Sequence, residues 1–259
     1  MAGAGRVRDG IARWLDRRAL RRWTRTADRA GQAGLDELKI LRARARALQQ
    51  QLDRVLHLAE GRLALPGGGE DRIERPLHCD WAYRPELWRG PVVPAGIAGV
   101  DTNTALGSET SLFHDCGAGE ITFRQLRNAR AGDRAPYGVR LDVFRFDGSF
   151  LSLVVNPPPE SVAGLKKRHV IRLAVAVETE KPLELFGRLN VRHGPNTEQL
   201  VREFPMDGTE MQVEFDLGFS DLNEKRIERM WIDLIFEDPA MNQILIRDLA
   251  VTRRPRAEM

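Results

Sequence analysis

The stretch Val170-Ile171-Arg172-Leu173-Ala174-Val175-Ala176-Val177 decides the fold. Ile171, Leu173, Val175 and Val177 fall on one side of an extended chain, and Arg172 falls on the other. Successive side chains of a strand point to opposite faces, so this alternation predicts a strand with one buried face. The same period recurs downstream. Leu183, Leu185, Leu189 and Val191 alternate with Glu184, Phe186, Arg188, Asn190 and Arg192, and Met211, Val213, Phe215 and Leu217 alternate with Gln212, Glu214 and Asp216. Further strands are predicted at 121–126, 139–146, 150–155, 199–204, 230–236 and 244–251.

Turn chemistry separates these strands at Asp147-Gly148, Asn156-Pro157-Pro158-Pro159, Gly194-Pro195-Asn196 and Asp207-Gly208. Asp147-Gly148 is the strongest hairpin signal among them. A short helix is expected at 222–229, with Ser220 placed to cap it. Nine or ten strands with no long helices between them predict a mainly β fold, a β-sandwich of the jelly-roll type over 111–259.

Upstream of the sandwich, breakers dominate. Leu65-Pro66-Gly67-Gly68-Gly69-Glu70 reads as a linker. The rest of 64–110 carries Pro76, Pro85, Pro91 and Pro94, which argue against long regular elements, and the aromatics Trp81, Tyr83 and Trp88. Those aromatics predict that the segment packs against the sandwich rather than floating free.

Residues 1–63 are predicted to be helical and basic. The first helical pattern, 6–29, places Val7, Ile11, Trp14, Leu15 and Trp23 among nine arginines. The second sets Leu38, Leu41, Ala45, Leu48, Leu52, Val55 and Ala59 at alternating spacings of three and four, a heptad seam that needs a partner helix. Gly31 and Gly34 supply a turn between them. The seam is met either by a helical hairpin within the chain or by a coiled-coil dimer. Isolated helices of this length are marginal in water, so some partner surface stabilises them.

Net charge is only +3, yet residues 1–62 hold 15 basic against 7 acidic side chains, +8, which leaves −5 for the remainder. A basic arm on an acidic body suggests an anionic partner, whether nucleic acid, an anionic membrane surface or an acidic protein, or self-association of the arm into a homo-oligomer; the plain alternative is a solvated arginine face. No specific nucleic-acid motif occurs. The start of the chain lacks an apolar signal-peptide core, and two cysteines, Cys79 and Cys116, do not make a disulfide framework. Cytoplasmic residence, peripheral to the membrane through the arm, is the expectation.

Two triplets attract the eye, His78-Cys79-Asp80 and His114-Asp115-Cys116. They hold zinc-ligand types, but adjacent residues of an extended chain point apart, whereas structural zinc pairs sit two to four residues apart. Buried thiols with hydrogen-bonded neighbours are the better reading, so no metal site and no cofactor are expected. No phosphate loop or dinucleotide fingerprint is present. Asp233 and Asp248 are a glycosidase-like carboxylate pair only by selection from 37 acidic residues. Asp248 sits in phase with Ile244 and Ile246, which suggests a structural cation or a buried hydrogen bond.

Several strings together carry a resemblance: His78-Cys79-Asp80-Trp81 leading to Arg84-Pro85-Glu86-Leu87-Trp88, Phe113-His114-Asp115-Cys116, the run from Arg140 to Gly148, Gly194-Pro195-Asn196-Thr197, and Asn242 to Arg253. They resemble an uncharacterised alphaproteobacterial family of the domain-of-unknown-function type, which implies no activity. The closing strands, 231–236 and 242–249, resemble the end of a galactose-binding-like or carbohydrate-binding jelly roll. Phe186, Arg188, Asn190 and Arg192 share the outward face of one predicted strand. An aromatic beside planar donors can cover and fix a sugar; an ordinary solvated strand face is the alternative. The expected function is therefore a non-catalytic binding or scaffold protein recognising a glycan. A carbohydrate-active or metal-dependent hydrolase and a structural component of a larger assembly are the rivals.

Overall fold

The structure, a computed structural model, describes residues 2–63, 73–130 and 132–256, with side chains omitted at 2–14, 50, 53, 54 and 56–63. The glycine-rich linker at 65–70 lies outside the described residues, as do the side chains of Val7, Ile11, Trp14 and Ala59. The chain divides into two units, Met1–Leu56 and His57–Met259.

The first unit is helical. Helix α1 spans Ala2–Ala30, and α2 spans Leu35–Leu63. Between them, Gln32 and Ala33 donate back to the carbonyls of Arg29 and Ala30, and the Gly34 carbonyl accepts from Leu38 N. Asp36 and Glu37 occupy the first turn of α2, where carboxylates suit the exposed backbone N–H groups. Leu48, Leu52 and Val55 of the heptad seam remain 40, 54 and 63% exposed. The seam is open to solvent at these positions, while Leu38 and Leu41 nearer the turn are half-buried.

The second unit is a sandwich of two antiparallel sheets. Sheet A contains β1 (Trp81–Tyr83), β2 (Gly96–Ala98), β5 (Glu120–Arg127), β6 (Tyr137–Arg145), β8 (His169–Thr179), β11 (Glu210–Asp216) and β13 (Asn242–Pro255). Its order is β11-β8-β13-β6-β5-β2, with β1 also on β13. Sheet B contains β3 (Thr104–Leu106), β4 (Thr110–His114), β7 (Leu151–Val155), β9 (Leu185–His193), β10 (Asn196–Glu203) and β12 (Ile227–Phe236), in the order β10-β9-β12-β7-β4-β3. From β6 onward the chain crosses between sheets at every connection except β9–β10. That alternation forces the inward residues of consecutive strands into one core. Ile171, Leu173, Val175, Leu189, Val191, Val213, Phe215, Ile232 and Leu234 all lie in it.

Three sequence expectations change. Asp147-Gly148 is a corner between sheets, because β6 belongs to one sheet and β7 to the other. The short helix expected at 222–229 shrinks to one turn, Glu224–Arg226, capped by Asn223, whose side chain accepts from Lys225 N. Strand β12 already starts at Ile227, so pairing with β9 overrides local helix preference. The proline-rich segment contributes β1, β2 and β3 to the sheets, and its short helix α3 (Glu86–Arg89) buries Leu87 and Trp88 completely. The Trp88 indole N–H donates to the Ile246 carbonyl at 2.9 Å, and Gln125 Nε2 donates to the Leu87 and Gly90 carbonyls. A buried indole needs such a partner, and this one ties the segment to β13.

Candidate binding face on sheet B

Pairing registers place the outward residues of sheet B in rows. One row runs Gln199, Asn190, Trp231; the next runs Val201, Arg188, Asp233, Val154, Ser111; a third runs Glu203, Phe186, Ile235, Ser152, Phe113. All four residues singled out from the sequence, Phe186, Arg188, Asn190 and Arg192, lie on this face, since their neighbours Leu185, Leu189, Val191 and His193 are buried. They do not share one role. Arg192 is exposed and pairs with Glu228 at 3.1 Å, while Phe186 and Arg188 are half-buried. Asn190 is 0% exposed. Its Nδ2 donates to Asp233 Oδ2 at 2.9 Å, and its Oδ1 accepts from Gln199 Nε2 at 3.0 Å. It orders the face instead of presenting a free amide.

Asp233 is the centre of that order. Its carboxylate is buried and accepts from Arg188 Nε at 2.6 Å as well as from Asn190. Such a charge is tolerable in a sheet only when counter-charge and donors meet it. The bond ties the half-buried Arg188 guanidinium to the neighbouring strand. One row away, the half-buried indole of Trp231 lies under the Arg229 guanidinium, 4.7 Å from ring centroid to Cζ. Phe186, Ile235 and Phe113 continue a half-buried apolar strip along the face. The buried hydroxyl of Ser152, set between Ile235 and Phe113 in that strip, has no hydrogen-bond partner among the described residues.

Sequence reasoning missed Trp231, Phe113 and Gln199 as members of the face. Period-2 reading of 230–236 puts Trp231, Asp233 and Ile235 on one side, but strand order alone decides that this side adjoins Arg188 and Phe186. Asp233 and Asp248 are not brought together. Asp233 faces outward on sheet B, whereas a register shift between Ile246 and Asp248 turns Asp248 outward on sheet A. That bulge breaks the phase with Ile244 and Ile246, and Asp248 meets Arg84 in a buried two-bond ion pair. No cation is needed to explain it.

The two triplets stay apart. His114 is buried, with Nε2 3.0 Å from the Val100 carbonyl and Nδ1 accepting from Cys116 N. Asp115 accepts from Ser149 N and Oγ and from Phe150 N, and Asp147 accepts from Cys116 Sγ at 2.6 Å and from Gly117 N. The triplet at 114–116 thus stitches one corner to the next, and these bonds hold both carboxyls below their ordinary range: the Ser149 hydroxyl leads at Asp115, the Cys116 thiol at Asp147. At the other triplet, Cys79 Sγ donates to the Trp81 carbonyl, and Asp80 accepts from Arg253 and lies 3.4 Å from His169 Nε2. Burial keeps the His169 imidazole neutral to lower pH than usual, against the pull of Asp80. Both cysteines are free thiols with hydrogen-bonded neighbours, but half-buried rather than buried as expected, because each lies in a connection at the edge of the sandwich. Among the described residues no group of three or more His, Cys, Asp or Glu side chains is placed to hold a metal ion.

On the outward face of sheet A, Arg130, Arg134, Arg172 and Arg247 line a cavity of about 550 Å³. Each has carboxylate partners: Arg134 pairs with Glu74 and Glu210, Arg172 with Glu214, Arg130 with Glu178, and Arg247 with Glu178 and Asp133. Burial alone would raise Glu178, but the two guanidinium groups overcome it and leave that carboxyl lowered. Sheet A also carries an outward aromatic, the exposed Phe144 beside Asp142, which binds Thr122 and Arg140; sheet B sets a longer half-buried strip, Phe186, Ile235 and Phe113, beside Trp231 and its ordered polar groups.

Fold and face together define an antiparallel jelly-roll sandwich with a basic helical segment ahead of it. The chain belongs to a family of unknown function, DUF6478, whose profile matches residues 3–259. No curated protein matches it. Among solved structures, a family 11 carbohydrate-binding module from Clostridium thermocellum, in complex with a β-1,3-1,4-mixed-linked tetrasaccharide, shares 10% identity at TM-score 0.39, covering 63% of this chain and 98% of that module. A xylan-binding domain of family 22 shares 12% identity at TM-score 0.35, over 61% of this chain and 95% of that one. The enzymatically active domain of tailspike protein 4 from bacteriophage CBA120 shares 8% identity at TM-score 0.39, over 57% of this chain; the match spans only 19% of the tailspike chain.

Proposed function

We propose that the sandwich is a non-catalytic glycan-binding module whose binding face is the outward side of sheet B. The observation that carries this reading is the row structure around Trp231. A half-buried indole and the Phe186–Phe113 strip flank a guanidinium bonded to Asp233, whose carboxylate Asn190 orders in turn. Aromatic faces cover the apolar faces of pyranose rings, and planar donors fixed in advance meet hydroxyl groups with little ordering loss. The test is calorimetric titration with soluble mixed-linkage β-glucan, xylan and β-galactan. Binding of at least one, weakened tenfold or more by Trp231→Ala at unchanged thermal stability, supports the reading. Absence of binding to all three, or binding indifferent to Trp231→Ala and Phe186→Ala, overturns it.

The arginine face of α1 fits an anionic surface. Arg18, Arg21, Arg22, Arg25 and Arg29 lie at spacings of three and four, with Trp23 beside Arg22 at 5.9 Å. Juxtaposed arginines of this kind draw an acidic lipid layer at about 1 kcal/mol per residue near the surface. No described helix is long and apolar enough to cross a membrane, so attachment is peripheral in this reading. Flotation of the full chain with phosphatidylserine vesicles, lost in Arg21→Glu/Arg25→Glu and at high salt, is the expected result. Equal flotation with neutral vesicles would refute it.

A further inference from the structure

We propose that α2 pairs with α2 of a second copy of this chain as a parallel, in-register, two-stranded coiled coil. The proposal does not depend on the glycan reading. In heptad terms Leu38, Ala45, Leu52 and Ala59 take position a, and Leu41, Leu48 and Val55 take position d. The helix that carries them is continuous from Leu35 to Leu63. Leu38 and Leu41, near the turn, are half-buried, whereas Leu48, Leu52 and Val55 stay 40, 54 and 63% exposed. A line of large apolar side chains left in water on a long helix is an unfilled packing surface. The 3-4 spacing fits knobs-into-holes packing against a helix with the same repeat, and the same helix of a second copy has it.

Flanking charges choose the orientation. Glu37 and Arg44 fall at g, and Arg42 and Gln49 fall at e. In a parallel in-register pair each g residue faces the e residue five positions further along the other strand. Glu37 then faces Arg42 of the second copy, twice by symmetry, and Arg44 faces Gln49. An antiparallel pair sets g against g and e against e, so Glu37 at g does not face Arg42 at e, and that attraction is lost. Pairing of the arms would also present two sandwiches per particle, which raises avidity for a repeating ligand without any new contact.

Light scattering of the full chain at micromolar concentration is expected to give twice the 29.3 kDa chain mass. Leu48→Glu/Leu52→Glu should return it to one chain mass while the thermal transition of the sandwich stays in place. Glu37→Arg should weaken the pair by about fivefold, from two lost attractions and two new repulsions, and adding Arg42→Glu to the same chain should restore it. Mild oxidation of Leu41→Cys should cross-link the variant to itself, relative to the parent chain with its own thiols. A single-chain mass at every concentration overturns the proposal. So does a dimer indifferent to Leu48→Glu/Leu52→Glu. Failure of Leu41→Cys to cross-link, or no rescue by the double charge swap, rejects the parallel register.

Discussion

Replacing Asp248 by alanine removes the carboxylate that Arg84 grips through two bonds, Nε to Oδ1 at 2.8 Å and Nη2 to Oδ2 at 2.9 Å. The Arg84 side chain is 4% exposed, so the guanidinium cannot turn to water without moving the segment that carries it. That segment follows β1 directly, and Asp248 follows the bulge in β13, so the pair fastens the chain's entry to the sheet's longest strand. Deleting one member of a buried pair costs about 3–5 kcal/mol, because the survivor is left charged and desolvated. For a unit of this size 1 kcal/mol moves the melting temperature by about 2–4 °C, so a fall of roughly 6–20 °C is expected. Arg84→Met/Asp248→Leu, which removes both charges and keeps the volume, should recover most of that loss. Calorimetry and urea unfolding at pH 7 measure both variants. A single variant within about 1 kcal/mol of the parent, or a double variant as unstable as the single, would refute the buried-pair argument.

Other expectations follow from the corners, the core and the titrating groups. Gly148→Ala places a methyl 2.4 Å from Asp115 Oδ1 and 2.9 Å from Cys116 N, so the corner must shift, with a loss of about 1–3 kcal/mol in unfolding experiments. Gly187→Ala pushes a methyl to 3.1 Å from Phe204 and 3.2 Å from Leu173 in the core, and a lowered melting temperature of the sandwich is expected. Asp115, Asp147 and Glu178 have carboxyls lowered by folding; their stabilisation is complete above the ordinary carboxylate range and disappears as pH falls through the lowered values, and Asp147→Asn should flatten that acid limb of a urea-midpoint profile. His169, lowered from its ordinary 6.5, acts on the next window up. Below pH 6.5 the unfolded chain takes a proton that the folded chain resists, so stability declines from pH 7 toward 5, and His169→Gln should remove that slope.

Much of the sandwich is legible in side-chain alternation. The stretch from Val170 to Val177 is β8 with Ile171, Leu173, Val175 and Val177 inside, because a period of two is a direct consequence of extended backbone geometry. The hairpin at Gly194-Pro195 is equally local: Gly194 adopts φ 61°, and His193 pairs with Asn196 across the turn. Asp147-Gly148 misleads for the opposite reason. Its residues favour a tight turn, but whether the next strand returns to the same sheet depends on contacts from Asp115 and Cys116, more than thirty residues earlier. The phase error at Asp248 has the same origin, since a bulge is a property of two paired strands and not of one.

The amino-acid order by itself determined most of the strands beyond residue 120, the apolar side of each apart from the bulge at Asp248, where the basic helices lie and that α2 carries a heptad seam. Those features depend on periods of 2 and 3.5, which neighbours along the chain set among themselves. Only the tertiary structure decided that Trp231 and Phe113 join Phe186 and Arg188 on one face, that Asn190 is an internal support for Asp233, and that Asp233 and Asp248 lie on different sheets. Strand order and register result from packing one shared core between residues far apart in the chain, and no local pattern encodes that choice.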